Sequence, residues 1–296
     1  MKQPVKLLVV ISVGPFGSQY TLEQLCDTVG SIVHYTTADR KIILQDSSAP
    51  LQVGKKVREQ FPEVIISPSP KHYGSFGGTY MADSLAFLTL HNSFDYRLLV
   101  RLDVDALWTG YGLEDEVIDY FAAHPKVGIL ANLPEKGEDL HWVRRMMMRE
   151  GRSLYGMLRK PRRYFMLNRL MQTAQATGWK IGDHVMGGAM IFNPALIQKW
   201  IDKRLLLRDE IGSLTLHDHH IYSLLCRSVD MTLDDYGLES SHGATLAQGL
   251  AATPERAAEQ GVKLVRSVRR WRGRSEDEVR AYFRQRQQTA DVTKLF

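Results

Sequence analysis

Apolar residues in the first part of the chain fall into two alternating patterns. Short continuous runs, rich in β-branched side chains and bounded by polar or turn residues, are typical of strands buried in a parallel sheet. Between these runs, apolar residues recur at intervals of three and four, which predicts helices with one buried face. The predicted strands cover residues 7–11, 41–46, 64–66 and 97–102, and the predicted helices cover residues 21–32, 55–60 and 79–91.

This alternation predicts an α/β fold with a mainly parallel sheet and helices on both faces. Further strands are expected at 127–130, 185–192 and 231–233, and further helices at 113–123, 194–201 and 217–227. Ligands of such open sheets bind beyond the carboxyl ends of the strands. Asp46, Asp103 and Asp105 all lie at the ends of predicted strands, so we expect them to line one binding site.

The composition is that of a folded globular protein, since 44% of the 296 residues are hydrophobic and 24% are charged. No segment approaches the roughly 20 apolar residues of a membrane-spanning helix, and residues 1–17 lack the pattern of a signal peptide. The two cysteines, Cys26 and Cys226, provide no disulfide framework and fit a reducing compartment. These features predict a cytoplasmic protein.

The formal net charge is +5, and arginines concentrate in two segments, residues 144–163 and 266–286. Such segments favour phosphate groups, an anionic membrane surface or nucleic acid, although both are also typical of solvated helix faces. No recognised nucleic-acid-binding module accompanies them, so nucleic acid is not an expected partner. Residues 142–164 interleave arginine with Trp, Met, Leu and Tyr, which suits a peripheral contact with an anionic membrane. Closure over a bound diphosphate is the alternative for this segment.

Asp103 and Asp105 are spaced so that both carboxylates reach one divalent cation, directly or through water. Mn²⁺ and Mg²⁺ prefer oxygen ligands and bind well when substrate phosphates complete their coordination. A cation that bridges a diphosphate stabilises the charge that develops as the diphosphate leaves. The alternative is that one acid caps a helix and the other faces solvent.

Residues 9–11, 42–48 and 98–105 resemble the nucleotide-binding half of a GT-A-fold glycosyltransferase, with a layout closest to glycosyltransferase family 2. The resemblance implies a GT-A-like (Rossmann-like) sheet, a UDP-linked sugar donor, and Mn²⁺ or Mg²⁺. It assigns Asp46 to the base, Asp103 to the ribose or to the hydrated cation, and Asp105 to the cation. Ser12, near the end of the first strand, is expected among the donor-binding residues.

The resemblance extends more patchily to about residue 240. Gly187 and Gly188 resemble the family's glycine-rich strand beneath the donor sugar; close core packing is the alternative explanation. Asp218 matches the general base that acts on the acceptor hydroxyl, with helix capping as the alternative and Asp183 as the competing candidate. His242 is expected as a third metal ligand, since an imidazole suits Mn²⁺, although a lone histidine is commonly structural.

The resulting hypothesis is a metal-dependent hexosyltransferase of polysaccharide biosynthesis that acts with inversion on a glycan or lipid-linked acceptor. Residues 1–110 form the expected donor half. Residues 111–250 form the acceptor half with a basic helical insertion at about 134–180, and residues 251–296 form a helical tail. A lipid-linked acceptor would place the protein at the inner face of the membrane.

Three alternatives remain open in the sequence. Residues 192–200 and 218–225 faintly resemble the retaining glycosyltransferase family 8. A sugar nucleotidyltransferase also uses a nucleotide-binding sheet, but residues 14–17 lack the basic side chains that its first loop usually carries. The third is a non-catalytic binding protein on the same fold.

Overall fold

The structure, a computed structural model, describes residues 2–14, 20–48, 52–70, 73–74, 76–134, 140–235, 245–246, 249–250, 253–269, 271 and 273–293. The strands are β1 (Gln3–Val13), β2 (Arg40–Asp46), β3 (Ile65–Pro68), β4 (Phe94–Leu102), β5 (Leu107–Trp108), β6 (Val127–Ala131), β7 (Ala189–Phe192), β8 (Thr232–Asp235), β9 (Thr245–Leu246), β10 (Gly249–Leu250) and β11 (Leu264–Val265). The helices are α1 (Leu22–Tyr35), α2 (Gln52–Gln60), α3 (Gly77–Ser93), α4 (Leu113–Ala123), α5 (Leu140–Gly151), α6 (Leu154–Arg159), α7 (Pro161–Ala176), α8 (Pro194–Asp202), α9 (Asp209–Gly212), α10 (Asp218–Ser228), α11 (Pro254–Glu259) and α12 (Glu276–Thr293).

Seven strands form the central sheet in the order β3-β2-β1-β4-β7-β6-β8. Strands β1 to β4 are mutually parallel, as are β6 and β8, whereas β7 runs antiparallel to both of its neighbours. The register pairs Ile11 of β1 with Leu102 of β4 and with Leu44 of β2. The carboxyl ends of these three strands therefore meet at one edge of the sheet.

Helices cover both faces of the sheet, which explains why the middle of β1, residues 7–11, is apolar at every position. Successive side chains of a strand point to opposite faces. Leu8 and Val10 accordingly belong to the apolar core that includes α3, α5, α7, α8 and α10, whereas Leu7, Val9 and Ile11 belong to the core that includes α1, α2 and α4. All five of these side chains are fully buried.

The C-terminal segment packs against the outer part of this domain. Leu264 and Val265 of β11 pair antiparallel with Trp108 and Leu107 of β5. Helix α12 contacts α1 and, together with β11, encloses a small separate apolar cluster around Trp271. The segment from Arg266 to Arg269 is thereby carried back to the carboxyl edge of the sheet.

The predicted fold class is confirmed, because the sheet is mainly parallel and is flanked by helices. The basic insertion is helical, as α5, α6 and α7. The strand expected at 185–192 is shorter, because the residues before Ala189 form a turn in which Gly182 and Gly188 have positive φ. The tail expected to be helical also contributes β11. Among the described residues, no helix is long and apolar enough to cross a membrane.

Candidate functional site

A polar cavity of about 550 Å³ lies beyond the carboxyl ends of β1, β2 and β4. A volume of this size is typical of small-molecule sites. Most of its exposed surface comes from polar atoms, including charged groups of both signs. The lining side chains that matter for chemistry are those of Ser12, Gln45, Ser47, Asp103, Asp105 and Arg269.

Asp103 and Asp105 are placed by main-chain bonds directly after β4. The Asp103 amide donates to the carbonyl of Gly188 (2.7 Å), and the Ala106 amide donates to the Asp103 carbonyl (3.1 Å). The resulting turn presents the two acids at the cavity. The Asp103 side chain is 41% exposed and that of Asp105 is 12% exposed, so Asp103 is the more accessible acid.

Arg101 of β4 connects three carboxylates beneath the cavity. Its guanidinium lies 3.2 Å from Asp83, 2.5 Å from Asp103 and 3.0 Å from Asp218. The Arg101 side chain is only 3% exposed. Burial alone would lower the pKa of Arg101, but the three carboxylates raise it well above its usual value. A permanent positive charge therefore holds the carboxylates of three separate elements together.

Asp83 of α3 is fully buried and lies at the base of this network. It accepts hydrogen bonds from the hydroxyls of Ser12 and Tyr222, the latter at 2.8 Å. Burial raises the pKa of Asp83, and the charge of Arg101 opposes this shift. Ser12, which we expected among the donor-binding residues, thus lines the cavity while its hydroxyl is bonded to Asp83.

Asp103 and Asp218 share Arg101 but differ in acidity. Desolvation, with the nearby carboxylates of Asp105 and Asp218, raises the pKa of Asp103 to about 6, and Arg101 opposes the shift. Burial would also raise the pKa of Asp218, but Arg101 and His219 hold it well below its usual value. Asp218 is therefore ionised and stands in the first turn of α10.

Asp105 is held by the C-terminal segment. Its Oδ2 accepts a hydrogen bond from the Ser267 hydroxyl (2.7 Å) and lies 3.2 Å from the Arg269 guanidinium. The amide of Val268 donates to the Asp105 carbonyl (2.9 Å). The sequence alone did not place this segment in the site. The one sequence feature that pointed to it was the cluster of arginines in residues 266–286, which favoured binding of anionic partners.

Gly187 and Gly188 lie beside the same segment. The Arg266 guanidinium donates to the Gly187 carbonyl (2.9 Å). At Gly188, where φ is +95°, a Cβ atom would lie 2.6 Å from the carbonyl oxygen of Arg266. At Gly187 a Cβ would lie 2.8 Å from Nδ1 of His219. Both positions therefore need glycine for close approach, and Gly188 also for its backbone conformation.

Asp46 is fully buried at the end of β2, and its carboxylate points into the protein. One oxygen accepts hydrogen bonds from the amide and hydroxyl of Ser48 (2.7 and 2.5 Å), and the other from the Gly54 amide (2.8 Å). Its neighbours Gln45 and Ser47 line the cavity instead. Asp46 therefore shapes the loop from β2 into α2.

The remaining predicted residues are placed as follows. Asp183, the competing base candidate, accepts a hydrogen bond from the Lys180 amide (2.9 Å) and so closes its own turn. His242 lies outside the described residues. The structure thus brings Ser12, Asp103 and Asp105 to the cavity. Asp218 pairs with the Arg101 nitrogen that does not contact Asp103, and the carbonyl of Gly188 accepts a hydrogen bond from the Asp103 amide.

No protein-family model and no curated protein matches the chain. The solved structures similar to it include the apo WbbM bifunctional glycosyltransferase and residues 1–349 of S. aureus TarS. WbbM is 12% identical with a TM-score of 0.46, covering 92% of this chain and 46% of WbbM. TarS is 11% identical with a TM-score of 0.42, covering 79% of this chain and 59% of the TarS chain. The chain therefore spans about half the length of the solved structures that it resembles, and the likeness concerns the fold.

Proposed function

We propose that this protein is a glycosyltransferase that takes a sugar from a nucleoside-diphosphate donor, UDP-linked, in the cavity beyond β1, β2 and β4. The observation that carries this proposal is the joint presence of Asp103, Asp105 and Arg269 on one polar cavity at the carboxyl ends of parallel strands. Ligands of open α/β sheets bind at this edge. The two carboxylates suit a cation and the arginine suits a phosphate.

The residues present fit a divalent cation. Asp105, with Asp103 beside it, offers carboxylate oxygens, and the ion pair of Asp105 with Arg269 supports a cationic partner at this carboxylate. Mn²⁺ or Mg²⁺ held there would stabilise the charge on the leaving diphosphate. His242 stays a proposed third ligand.

Arg269 is proposed to bind the diphosphate itself. Its side chain is 39% exposed and belongs to a segment that touches the body of the domain through Asp105. A cation held by Asp105 would replace the guanidinium there, and Arg269 would then pair with phosphate oxygens in a bidentate manner. Arg269 would thus act on the donor only when the site is loaded.

Gln45 and Ser47 are proposed to contact the nucleoside, since they line the cavity where β2 ends. Asp46 would then act through the main chain by holding this loop in place. Gly187 and Gly188 would lie beneath the donor sugar, where missing side chains permit close approach.

Asp218 is proposed as the base that accepts the proton of the acceptor hydroxyl, with inversion at the sugar carbon. Its ion pair with Arg101 keeps it ionised and orients it. Because its pKa is low, the carboxylate would accept the proton only as the hydroxyl oxygen bonds to the sugar carbon and becomes acidic, and before that it would align the hydroxyl for attack. Retention of configuration in the product would exclude this role for Asp218.

The acceptor is proposed to be a glycan on a lipid carrier at an anionic membrane. We call residues 140–176 the basic arm. Four of its apolar side chains are between 53% and 72% exposed, and they lie among exposed basic side chains. The apolar group is Leu154, Tyr155, Leu158 and Phe165, and the basic group is Arg152, Arg159, Lys160 and Arg162. An apolar surface framed by cations is typical of proteins that lie on anionic lipid.

Co-sedimentation with vesicles tests this surface. The chain should bind vesicles of phosphatidylglycerol and phosphatidylcholine, but not of phosphatidylcholine alone. Leu158→Asp should weaken binding several-fold, whereas Leu133→Asp, at an exposed position outside the arm, should not. Equal binding to both vesicle types, or equal effects of both variants, would contradict the membrane proposal.

Thermal-shift measurements with a panel of nucleotide sugars, with and without Mn²⁺, test the donor site. A ligand that binds only the folded state raises the melting temperature. We expect stabilisation by a UDP-sugar with Mn²⁺, and its loss in Asp105→Asn but not in Asp115→Asn, whose side chain is 65% exposed. Product analysis of the reaction is a separate test: release of pyrophosphate, in place of a nucleoside diphosphate, would identify a nucleotidyltransferase.

A further inference from the structure

Three histidines converge beside the start of α10, apart from the acids that line the cavity. One ring nitrogen from each of His184, His219 and His220 lies within 4.8 Å of the others. His184 belongs to the turn before β7, whereas His219 and His220 belong to the first turn of α10. The cluster is well enclosed, because His184 and His220 are each only 4% exposed.

The tautomer of His184 is set by its hydrogen bond. Its Nδ1 lies 2.7 Å from the carbonyl of Gly182, and a carbonyl can only accept, so Nδ1 carries the proton. The lone pair of the neutral ring is then on Nε2. A main-chain carbonyl that bonds the other nitrogen of a metal-binding histidine is the usual arrangement around protein metal sites.

His220 presents a buried nitrogen that the described protein atoms leave without a hydrogen-bond partner. The atom is Nδ1, in a ring packed 4.4 Å from the His184 ring and 4.0 Å from the His219 ring. Leaving a buried polar atom unbonded costs free energy, so such an atom in a native protein calls for an explanation.

We propose that His184, His219 and His220 form a zinc site that ties the turn before β7 to the first turn of α10. Three imidazoles suit Zn²⁺ better than Mn²⁺ or Mg²⁺, which prefer oxygen. Nitrogen ligands of tetrahedral zinc lie about 2.0–2.1 Å from the metal, so the rings would reorient to bring their nitrogens onto one ion. The chemistry therefore separates this site from the acids Asp103 and Asp105.

The zinc site would position two parts of the candidate active site. His219 follows Asp218, whose Oδ1 lies 3.5 Å from His219 Nδ1, and it also packs on Gly187. Fixing His184 to His219 would therefore hold Asp218 and the glycine turn at a constant separation. The proposal does not depend on the sugar-transfer reaction, since it stands on the imidazole geometry alone.

Metal content and thermal shift test the proposal in the full-length chain. After removal of metals with a chelator, wild-type protein should take up about one Zn²⁺ per chain and gain about 5 °C or more in melting temperature. Bound Co²⁺ should give the strong visible absorption of a four-coordinate site, with a water molecule beside the three histidines. Mn²⁺ and Mg²⁺ should give neither effect at these histidines.

Two variants and one control sharpen the test. His220→Phe keeps a buried ring and removes the unbonded nitrogen, so it should abolish zinc uptake while leaving the metal-free stability unchanged or higher. His219→Ala, at a less buried position, serves if His220→Phe does not fold. His124→Phe, outside the cluster, should behave as wild type.

Asp105→Asn separates this proposal from the proposed function, because it should remove the Mn²⁺-dependent donor effect and leave the zinc effect intact. Loss of the zinc effect in Asp105→Asn would place zinc at the acidic pair and overturn the proposal. Equal zinc uptake by wild type and by the His220→Phe and His219→Ala variants would also overturn it, as would absence of a zinc effect in wild type.

Discussion

The guanidinium of Arg280 on α12 donates a hydrogen bond of 3.0 Å to the main-chain carbonyl of Val104, the residue between Asp103 and Asp105. The same group donates to the carbonyl of Gln24 (2.9 Å) and pairs with Glu276 (2.8 Å). Arg280 is only 1% exposed. The C-terminal helix is therefore bonded to the turn that carries the acidic pair, although the two lie far apart in the sequence.

Replacing Arg280 with leucine should destabilise the protein by about 2–4 kcal/mol, because the carbonyls of Val104 and Gln24 each lose one donor and the Glu276 carboxylate loses its buried partner. Urea unfolding monitored by circular dichroism measures this difference. The matched control is Arg274→Leu, whose pair with Glu255 is exposed on both sides and should contribute below about 1 kcal/mol. Equal losses in the two variants would contradict a special role for Arg280.

Gly188→Ala should cost more stability than Gly178→Ala. Both glycines have positive φ, +95° and +85°, so alanine suffers backbone strain of about 1–2 kcal/mol at either position. At Gly188 the added methyl also meets the Arg266 carbonyl at 2.6 Å, whereas at Gly178 it meets no atom of the described residues within 4 Å. We expect an extra loss of about 1–3 kcal/mol in Gly188→Ala, measured by thermal unfolding.

Arg269→Ala should weaken donor binding about tenfold or more, since hydrogen bonds between charged groups contribute roughly 1.5–3 kcal/mol. Isothermal titration with the stabilising nucleotide sugar and Mn²⁺ measures the change. Arg269→Lys should recover part of the affinity, because a lysine keeps the charge but not the bidentate geometry. Unchanged affinity in Arg269→Ala would exclude this arginine from the diphosphate site.

The sequence was sufficient to predict the sheet edge that carries the acids. Apolar runs with no polar face predict parallel strands, and the carboxyl ends of such strands gather at one edge, so Asp103 and Asp105 could be placed before the structure was known. The reach of Arg269 to Asp105 could not be predicted. It depends on the pairing of β11 with β5, which joins short segments far apart in the chain with no strong pattern of their own.

The sequence also did not predict which side chains at the end of β2 face the cavity. Gln45, Asp46 and Ser47 are consecutive, and a strand alternates its side chains between two faces. Whether Asp46 or its two neighbours face the cavity depends on the connection to α2, where Asp46 accepts hydrogen bonds from Ser48 and Gly54. Similarly, the sequence did not predict the contact of His184 with His219 and His220. These residues are far apart in the chain, and only the turn before β7 brings them together.

The buried ion pair between Arg101 and Asp83 should show strong coupling in a double-mutant cycle. Arg101→Met leaves Asp83 buried without its cation and should cost about 3–5 kcal/mol. Asp83→Asn leaves Arg101 with two other carboxylates and should cost less. Combining the substitutions removes the charge left uncompensated at Asp83, so the double variant should be more stable than Arg101→Met alone. Additive losses in urea unfolding would show that the pair is not coupled.

The metal-free protein should become less stable as the pH rises from about 4 to about 6, because of Asp103. Its pKa is raised from 3.8 to about 6 in the folded state, so the folded chain binds this proton more tightly than the unfolded chain. The stabilising contribution is complete below about pH 4 and is lost as the pH rises through 6. Since the side chain is 41% exposed, solvent screening should limit the effect to about 1 kcal/mol.

Asp103→Asn should flatten this slope when the free energy of unfolding is followed across the same pH range, whereas Asp115→Asn should retain it. Asp218 does not interfere, because its pKa is lowered and its contribution is lost only under more acidic conditions. Mn²⁺ at the acidic pair competes with the proton, so binding of Mn²⁺ should weaken as the pH falls below about 6. A pH slope that persists in Asp103→Asn would assign the titration to another group.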